Sequence, residues 1–399
     1  MPDSPPHHSP TWRRRTVLTQ SGIQRSDFME TCEAIYLTSG YVYRSAEEAE
    51  SAFANDGSRF VYSRYANPTV QMLEDRLRIL EGAEMCRGTA SGMAAVFASM
   101  ACFVKAGQRV VASRALFGSC LYILQNILPR YGIETVIVDG RDLDEWQRAL
   151  KPGAAAVFLE SPSNPTLEII DLRAVADLAH AAGALLIVDN VFATPLLQRP
   201  LEFGADIVAY SATKHIDGQG RTLGGAILGT QKYVRESLMP FLRHTGPALS
   251  PFNAWVLLKG LETLELRLDC QMAGALAVAQ HLARHPKVPR TLYPGLESHP
   301  QYALARRQMS GAGTIVSFDV GSGKADAFRF LNALKLVVIS NNLGDSKSLI
   351  THPATTTHSR VAPEQRAALG VSDALVRLSI GLEDSADLIE DLDQALAAV

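Results

Sequence analysis

The sequence predicts an α/β fold in which a mainly parallel sheet lies between helices. Three short apolar segments, at residues 154–160, 184–188 and 206–210, are predicted as buried strands. The first two are separated by a helix that Asp171 would cap and Gly183 would end. Continuous apolar strands that alternate with helices are typical of parallel sheets covered on both faces.

The chain before these strands shows the same alternation. Residues 70–80 predict a helix because apolar side chains recur three and four positions apart. Residues 91–104, rich in alanine and methionine, predict a second helix. Two short apolar runs, at residues 109–112 and 134–138, predict further strands of the same sheet.

The pattern changes after about residue 251. Residues 253–285 predict one long helix, strand-like runs follow at 313–320, 336–340 and 375–380, and a last helix is predicted near 385–398. These elements predict a second, smaller α/β domain. We therefore divide the chain into an N-terminal tail and arm (1–65), a large domain (66–258) and a C-terminal domain (259–399).

Composition and charge argue against several classes of protein. A net charge of −3 is not that of a general nucleic-acid binder. No apolar run approaches the roughly 18 residues of a membrane span, and no apolar segment follows the arginines near the N-terminus, as a secretory signal requires. The first dozen residues are expected to be a solvated tail. Five scattered cysteines are typical of reduced thiols, so we expect a cytoplasmic protein.

Polar side chains follow the ends of the predicted parallel strands, where such sheets bind ligands. Lys214 could form a Schiff base if its amine is kept neutral, although a lone lysine is more often a solvated surface residue. A carboxylate at Asp189 is costly unless it is paired, for instance with a protonated pyridine nitrogen; the alternative is a helix cap or turn. The strand-end residues are Glu160, Asn164, Asp189, Ser211, Thr213 and Lys214.

Residues 88–93 precede a predicted helix and contain the small residues that let an anion approach free backbone N–H groups. Simple capping by Ser91 is the alternative. The combination carries more weight than either signal. A phosphate-type helix start, then a strand-end aspartate, then Ser-x-Thr-Lys is the order that pyridoxal-phosphate chemistry needs.

Six stretches carry a resemblance to a known family: residues 62–69, 91–93, 160–165, 188–190, 211–214 and 377–383. From residue 36 onward the chain resembles the Cys/Met-metabolism family of fold-type-I enzymes, which depend on pyridoxal 5'-phosphate (PLP). The resemblance implies a transferase with a mainly parallel, seven-stranded sheet in the large domain. It also implies a homo-oligomer, at least a dimer and usually a dimer of dimers.

The resemblance also implies roles for cofactor-binding residues. Lys214 would bind PLP and transfer protons, Asp189 would pair with the pyridine nitrogen, and Phe117 would stack on the ring where the family usually has a tyrosine. The arm of a neighbouring subunit would reach the phosphate. The remaining contacts are implied for Ser91, Gly92, Met93, Asn164, Ser211 and Thr213, and for the neighbour's Tyr62 and Arg64. No metal is expected.

Substrate-binding residues are implied in the same way. Arg377 would hold the α-carboxylate of the substrate in a bidentate fork. Near it, Ser340, Asn341 and Asn342 would line the site, and Asn341 stands where cystathionine-forming and cystathionine-cleaving relatives often carry glutamate. Arg221 is a candidate for a distal succinyl carboxylate, with a surface or inter-subunit arginine as the alternative.

Residues 117–119, 217–221, 340–349 and 351–358 most resemble the branch of the family that adds sulfide to an activated homoserine. The implied substrates are O-succinyl-L-homoserine and sulfide, and the products homocysteine and succinate. A cystathionine γ-synthase, a γ-lyase and a non-catalytic PLP-binding protein are the alternatives. Whether the activating group is succinyl, acetyl or phosphoryl stays open.

Overall fold

Helices and strands alternate along the chain in a computed structural model, which describes residues 12–54 and 59–399. The predicted solvated tail lies almost wholly outside these residues. The α-helices are α1 (Arg14–Gln20), α2 (Ala46–Ala54), α3 (Pro68–Glu81), α4 (Gly92–Ala101), α5 (Gly118–Tyr122), α6 (Leu143–Leu150), α7 (Leu172–Ala181), α8 (Thr194–Leu197), α9 (Gln231–Tyr233), α10 (Met239–Thr245), α11 (Pro251–Glu262), α12 (Leu264–Leu282), α13 (Tyr302–Gln308), α14 (Lys324–Ala333), α15 (Pro363–Ala368) and α16 (Ser385–Ala397).

The strands form two sheets. Their bounds are β1 (Met85–Thr89), β2 (Arg109–Ser113), β3 (Glu134–Val138), β4 (Ala156–Glu160), β5 (Leu185–Asp189), β6 (Ile207–Ser211), β7 (Gly225–Gly229), β8 (Thr291–Leu292), β9 (Ile315–Asp319), β10 (Val338–Ile339), β11 (Leu349–Thr351) and β12 (Leu375–Ser379). The larger sheet has seven strands in the order β1-β7-β6-β5-β4-β2-β3, and the smaller has five in the order β10-β11-β12-β9-β8.

The larger sheet is mainly parallel, as predicted. Strands β2 to β6 run parallel to one another, whereas β7 pairs antiparallel with both β6 and β1. Both faces are covered, so adjacent residues of β5 enter different cores: Ile187 packs with Ala95 of α4, and Val188 packs with Val175 of α7. This two-sided burial explains the continuous apolar strands in the sequence.

The smaller sheet is mostly antiparallel and buries one face. On β12, Val376 and Leu378 enter a core with Phe318 of β9 and Phe330 of α14. Because successive strand residues point to opposite faces, Arg377 lies on the other face of this sheet. A buried arginine is thereby placed where it meets the larger sheet's loops.

The helices begin and end as their local sequence dictates. At the start of α3, the Asn67 side chain accepts hydrogen bonds from the backbone N–H groups of Thr69 and Val70, and Pro68 occupies the first turn. Gly82, at φ 80°, ends that helix in the left-handed conformation. In the ranges that the structure describes, no helix has both the length and the apolar character needed to cross a bilayer.

One predicted element is wrong: the helix expected over residues 253–285 is two helices, α11 and α12. The break falls at Thr263, whose backbone at φ −109° and ψ 6° is not helical. A side chain stabilises this break, because Arg267 donates to the carbonyl of Gly260 at 2.7 Å, in the last turn of α11. The short strands β1, β8 and β11 were not predicted from the sequence.

Candidate active site

The carboxyl ends of β4, β5 and β6 lie side by side at one edge of the larger sheet. Glu160 and Asp189 are paired in register as the last residues of their strands, and Ser211 ends the next strand. Lys214 follows within one turn, its backbone N–H donating to the carbonyl of Ser211 at 3.3 Å. The structure therefore brings the predicted strand-end residues to one place.

The Lys214 side chain is half-buried and hydrogen-bonded to the second sheet's loop. Its Nζ donates to Oδ1 of Asn342 at 2.6 Å. Burial, with a smaller contribution from the positive charge of Arg377, lowers the pKa of Lys214 to about 8. The amine is thus easier to deprotonate than that of an exposed lysine.

Asp189 is a buried carboxylate without a cationic partner in the described part of the chain. The backbone N–H of Val191 donates to its Oδ1 at 3.1 Å. Burial raises the pKa of Asp189, and the hydrogen bond from Val191, which lowers it, is the smaller effect. A buried carboxylate is costly unless something pairs with it, so the residue suits a ligand that brings its own N–H donor.

Glu160 joins two loops, a role that the sequence analysis did not foresee. Its Oε2 accepts the backbone N–H of Phe117 at 2.8 Å, and its Oε1 accepts that of Asn164 at 3.0 Å. Burial, then the neighbouring charge of Asp189, raise the pKa of Glu160. The only signal in the sequence was a carboxylate at the end of an apolar strand, without any indication of its partners.

Arg377 is 1% exposed and is held by three oxygens. Nη1 donates to Oδ1 of Asn164 at 2.9 Å, and Nη2 donates to the carbonyls of Asn341 at 2.9 Å and Asn342 at 3.2 Å. Burial lowers the pKa of Arg377 to about 10, which leaves the guanidinium charged at neutral pH. Its Nε is buried and has no hydrogen-bond partner among the described residues.

The N-terminus of α4 lies against the end of β6. Ser91 caps this ten-residue helix by accepting from the N–H of Ala94. A Cβ on Gly92 would come within 2.5 Å of the Cβ of Ser211, so only glycine allows this approach. First-turn N–H groups beside a serine hydroxyl fit an anion such as a phosphate.

Other predicted residues lie nearby or elsewhere. The Thr213 hydroxyl accepts the backbone N–H of Gly224 at 3.1 Å and donates to its carbonyl at 3.3 Å. The Ser340 hydroxyl accepts the N–H of Asn342 at 3.3 Å. Arg221 binds Asp217, with Nε 3.0 Å from the carboxylate and Nη2 2.9 Å from the carbonyl.

Tyr62 and Arg64 are not part of this cluster. Arg64 stacks over the ring of Tyr62, 5.3 Å from its centroid, and hydrogen-bonds to the carbonyl of Arg243. Arg64 lines a separate groove with Arg87 and Met239. In the described residues, no hydrogen bond or ion pair links either side chain to Lys214 or Asp189.

Together these groups fit pyridoxal 5'-phosphate. Asp189 lacks a cation and can accept a pyridinium N–H, the α4 N-terminus with Ser211 suits a phosphate, and Lys214 supplies an amine of lowered pKa. Each of the three features matches a different end of that molecule.

Comparisons with known proteins agree with this reading. The family model for the Cys/Met metabolism PLP-dependent enzymes matches residues 15–397. A Mycobacterium tuberculosis protein named O-succinylhomoserine sulfhydrylase is 56% identical over 386 residues, 96% of this chain and 95% of that one. A protein of the same name from Pseudomonas aeruginosa is 49% identical over 384 residues, again 96% and 95% of the two chains.

Solved structures show the same fold. A Campylobacter jejuni structure that contains N'-pyridoxyl-lysine-5'-monophosphate superposes with a TM-score of 0.93 at 32% sequence identity, covering 97% of this chain and all (100%) of the other. The predicted fold class is confirmed at this level of similarity.

Proposed function

The chain belongs to the family of Cys/Met metabolism PLP-dependent enzymes, and from this premise we propose that it replaces the γ-substituent of an activated homoserine. The reaction converts O-succinyl-L-homoserine and hydrogen sulfide to L-homocysteine and succinate, in methionine biosynthesis. The two sulfhydrylase relatives support this choice of substrate. The observation that carries it is Lys214 beside Arg377, a proton-transferring amine next to a buried carboxylate-binding cation.

PLP, when bound, withdraws electrons from the substrate and so makes its Cα and Cβ protons removable. Asp189 would accept the pyridine N–H. The phosphate would take the N–H groups of Gly92 and Met93 and the hydroxyls of Ser211 and Thr213. Asn164 would contact the ring's phenolic oxygen, Phe117 would stack on the ring, and Lys214 would bind the aldehyde group.

We assign proton transfer to Lys214. With a pKa of about 8, about a tenth of its amine is neutral at pH 7 and able to accept a proton. Asn342 orients the amine through an uncharged oxygen, which does not hold the proton on the lysine as a carboxylate would. Because Phe117 has no hydroxyl, Lys214 takes the Cα proton, then a Cβ proton, and returns them after sulfide has replaced succinate at Cγ.

Arg377 would hold the α-carboxylate of the substrate through its guanidinium, which stays charged at neutral pH. The neighbouring Asn341 supports sulfide as the sulfur donor. A neutral amide lacks the charge that would attract the ammonium group of cysteine, whereas glutamate at this position in related enzymes supplies it.

We propose that the chain acts as a homo-oligomer, at least a dimer and in the usual form a tetramer. The arm before α3 exposes large apolar side chains, such as Phe28 at 93% and Val42 at 90%. Exposed apolar groups on one segment favour an interface. Tyr62 and Arg64 lie on the same arm, away from their own chain's Lys214, and would reach the phosphate of a neighbouring subunit.

The test gives the purified PLP-loaded enzyme O-succinyl-L-homoserine with sulfide, with cysteine, or with no donor. Homocysteine as the faster product supports the proposal. Cystathionine as the better product would make the protein a cystathionine γ-synthase, and 2-oxobutyrate without a donor would make it a γ-lyase. No turnover in any arm would indicate a non-catalytic PLP-binding protein.

The same assay tests the role of Lys214 through a variant of that residue. Lys214→Ala is expected to lower turnover by about 100- to 10,000-fold, while Lys232→Ala, at an exposed position of α9, serves as the control. Full turnover by Lys214→Ala would show that another group transfers the proton.

A further inference from the structure

A large cavity opens beside the proposed site. Its volume is about 660 Å³, and Phe117, Asn341 and Arg360 are among its lining residues. Asn341 connects it to the site, because its carbonyl accepts the Nη2 hydrogen of Arg377 at 2.9 Å. The cavity therefore begins where the α-carboxylate of the substrate would be held.

The lining of the cavity contains arginines but no carboxylate among the described residues. In the part of the chain that the structure describes, its charged lining residues are Arg114 and Arg360. Arg114 forms an ion pair with Asp139 at 2.7 Å, so its charge is offset. Arg360 is exposed and has neither a hydrogen bond nor an ion pair within residues 12–54 and 59–399. The uncompensated positive charge of the cavity is therefore that of Arg360.

The segment that carries Arg360 is pressed against the turn that carries Phe117. A Cβ on Gly118 would lie 2.6 Å from the carbonyl oxygen of Thr357, so these two backbones are in direct contact. His358 is fully buried, its Nδ1 lying 2.9 Å from the hydroxyl of Thr357. This packing holds Arg360 on the cavity wall.

We infer that Arg360 binds the distal carboxylate of the succinyl group and so selects a succinylated over an acetylated homoserine. The inference rests on the proposed function and deepens it. O-Succinyl-L-homoserine carries two carboxylates, and Arg377 takes the one on Cα. The second lies at the far end of the γ-ester, and the cavity offers one unpaired cation to receive it.

Arg221, the candidate from the sequence, is less suited to this role. Its side chain and backbone are already committed to Asp217, through the carboxylate at 3.0 Å and 2.7 Å and the carbonyl at 2.9 Å. The side chain of Asp217 is fully buried, so releasing it from Arg221 would leave a buried charge unpaired. Arg360 can bind a carboxylate without breaking any contact.

The experiment compares kcat/KM for O-succinyl- and O-acetyl-L-homoserine with sulfide in PLP-loaded enzymes. Arg360→Gln is expected to lower the value for the succinyl ester by about 10- to 100-fold, mostly through KM, because one charge-assisted contact is lost. The acetyl ester should change by less than about threefold. Arg360→Lys should recover part of the loss, and Arg306→Gln, at an exposed arginine of α13, is the matched control.

A binding measurement separates recognition from turnover. Monomethyl succinate, which reproduces the ester arm and its carboxylate, is titrated calorimetrically into the same variants, and weaker binding to Arg360→Gln alone supports the inference. Unchanged ester selectivity in Arg360→Gln, with a wild-type enzyme that prefers the succinyl ester, would overturn the inference and leave the proposed function intact. A wild-type enzyme that ignores the succinyl ester would instead overturn the proposed function.

Discussion

At the scale of single residues, two buried charged groups of the site differ in how many partners the protein gives them. Arg377 is held by three oxygens of the protein, from Asn164, Asn341 and Asn342. Asp189 accepts one backbone N–H and meets no cation in the described residues. A protein normally pairs a buried carboxylate, so the shortfall at Asp189 indicates a partner that arrives with the cofactor.

The variant Asp189→Asn tests whether this carboxylate pairs with the pyridine nitrogen of PLP. The amide keeps the shape but loses the charge that attracts a pyridinium N–H, so PLP should bind about 10- to 100-fold more weakly. Titration of PLP into the apoenzyme, followed by visible absorbance, measures the dissociation constant. Asp177→Asn, an exposed position of α7, is the control. Equal affinities in the two variants would exclude the pairing.

The pKa of Lys214 predicts a pH dependence. Its value of about 8, against 10.5 for free lysine, means that the neutral amine becomes the main form above about pH 8. Since the neutral amine attacks an aldehyde, the rate of PLP uptake by the apoenzyme should rise about tenfold per pH unit below 8 and level off above it. Stopped-flow absorbance measures the rate. A rise that continues to pH 10 would mean an unshifted amine.

Some residues of the site could be predicted from the sequence and others could not. Asp189 ends a buried strand and Lys214 follows another within one turn, positions that local patterns reveal. The bridge from Glu160 to Phe117 spans 43 residues, and the contact from Lys214 to Asn342 spans 128. Such pairs depend on how distant loops meet, which no local pattern encodes.

At the scale of elements, α5 and the segment before α15 meet at a glycine. Gly118→Ala would place a methyl group 2.6 Å from the carbonyl oxygen of Thr357, and the backbone would have to move. The variant should lose about 1–3 kcal/mol of unfolding free energy and bind substrate more weakly. Denaturant unfolding and KM measure the two effects.

Gly323→Ala is the matched control for that variant. Its backbone is extended, at φ 171°, and nothing lies within 4 Å of an added Cβ. The same change of residue therefore meets open space. Equal stability losses in the two variants would show that the contact at Thr357 is unimportant.

The elements themselves were predictable where burial was two-sided. Strands β4, β5 and β6 are continuous apolar runs, because helices cover both faces. In contrast, β1 contains Arg87 and Gly88 and lies at the sheet edge, so it has no comparable pattern. The break between α11 and α12 is bridged by the Arg267 side chain, a contact that helical periodicity does not reveal.

At the scale of the whole molecule, the placement of the arm predicts shared sites. Lys214→Ala and Arg64→Ala should each be inactive or strongly impaired alone. In a hybrid dimer, the Arg64→Ala subunit keeps its lysine and receives Arg64 from its partner, so one site is intact. Mixing the two variants under exchange conditions should restore up to about a quarter of wild-type activity, because about half of the dimers are hybrids.

The control for this mixture uses two variants of one site. Lys214 and Asp189 belong to the site of their own subunit. A hybrid of Lys214→Ala and Asp189→Asn therefore has one altered residue in each of its two sites. Mixing these two variants should not restore activity. Light scattering of the same samples reports the oligomer mass. Absence of restoration with Arg64→Ala, in oligomers shown to exchange, would mean that Arg64 serves its own chain.

The carbonyls of Asn341 and Asn342 accept from Arg377, and the side chain of Asn342 also accepts from Lys214. One dipeptide thus couples a lysine that follows the larger sheet to an arginine within the smaller one. A bound amino acid that contacts both cations would link the larger sheet to the smaller one and stabilise their packing. Resistance to heat should therefore rise with the concentration of any amino acid that fills the site, whether or not it reacts.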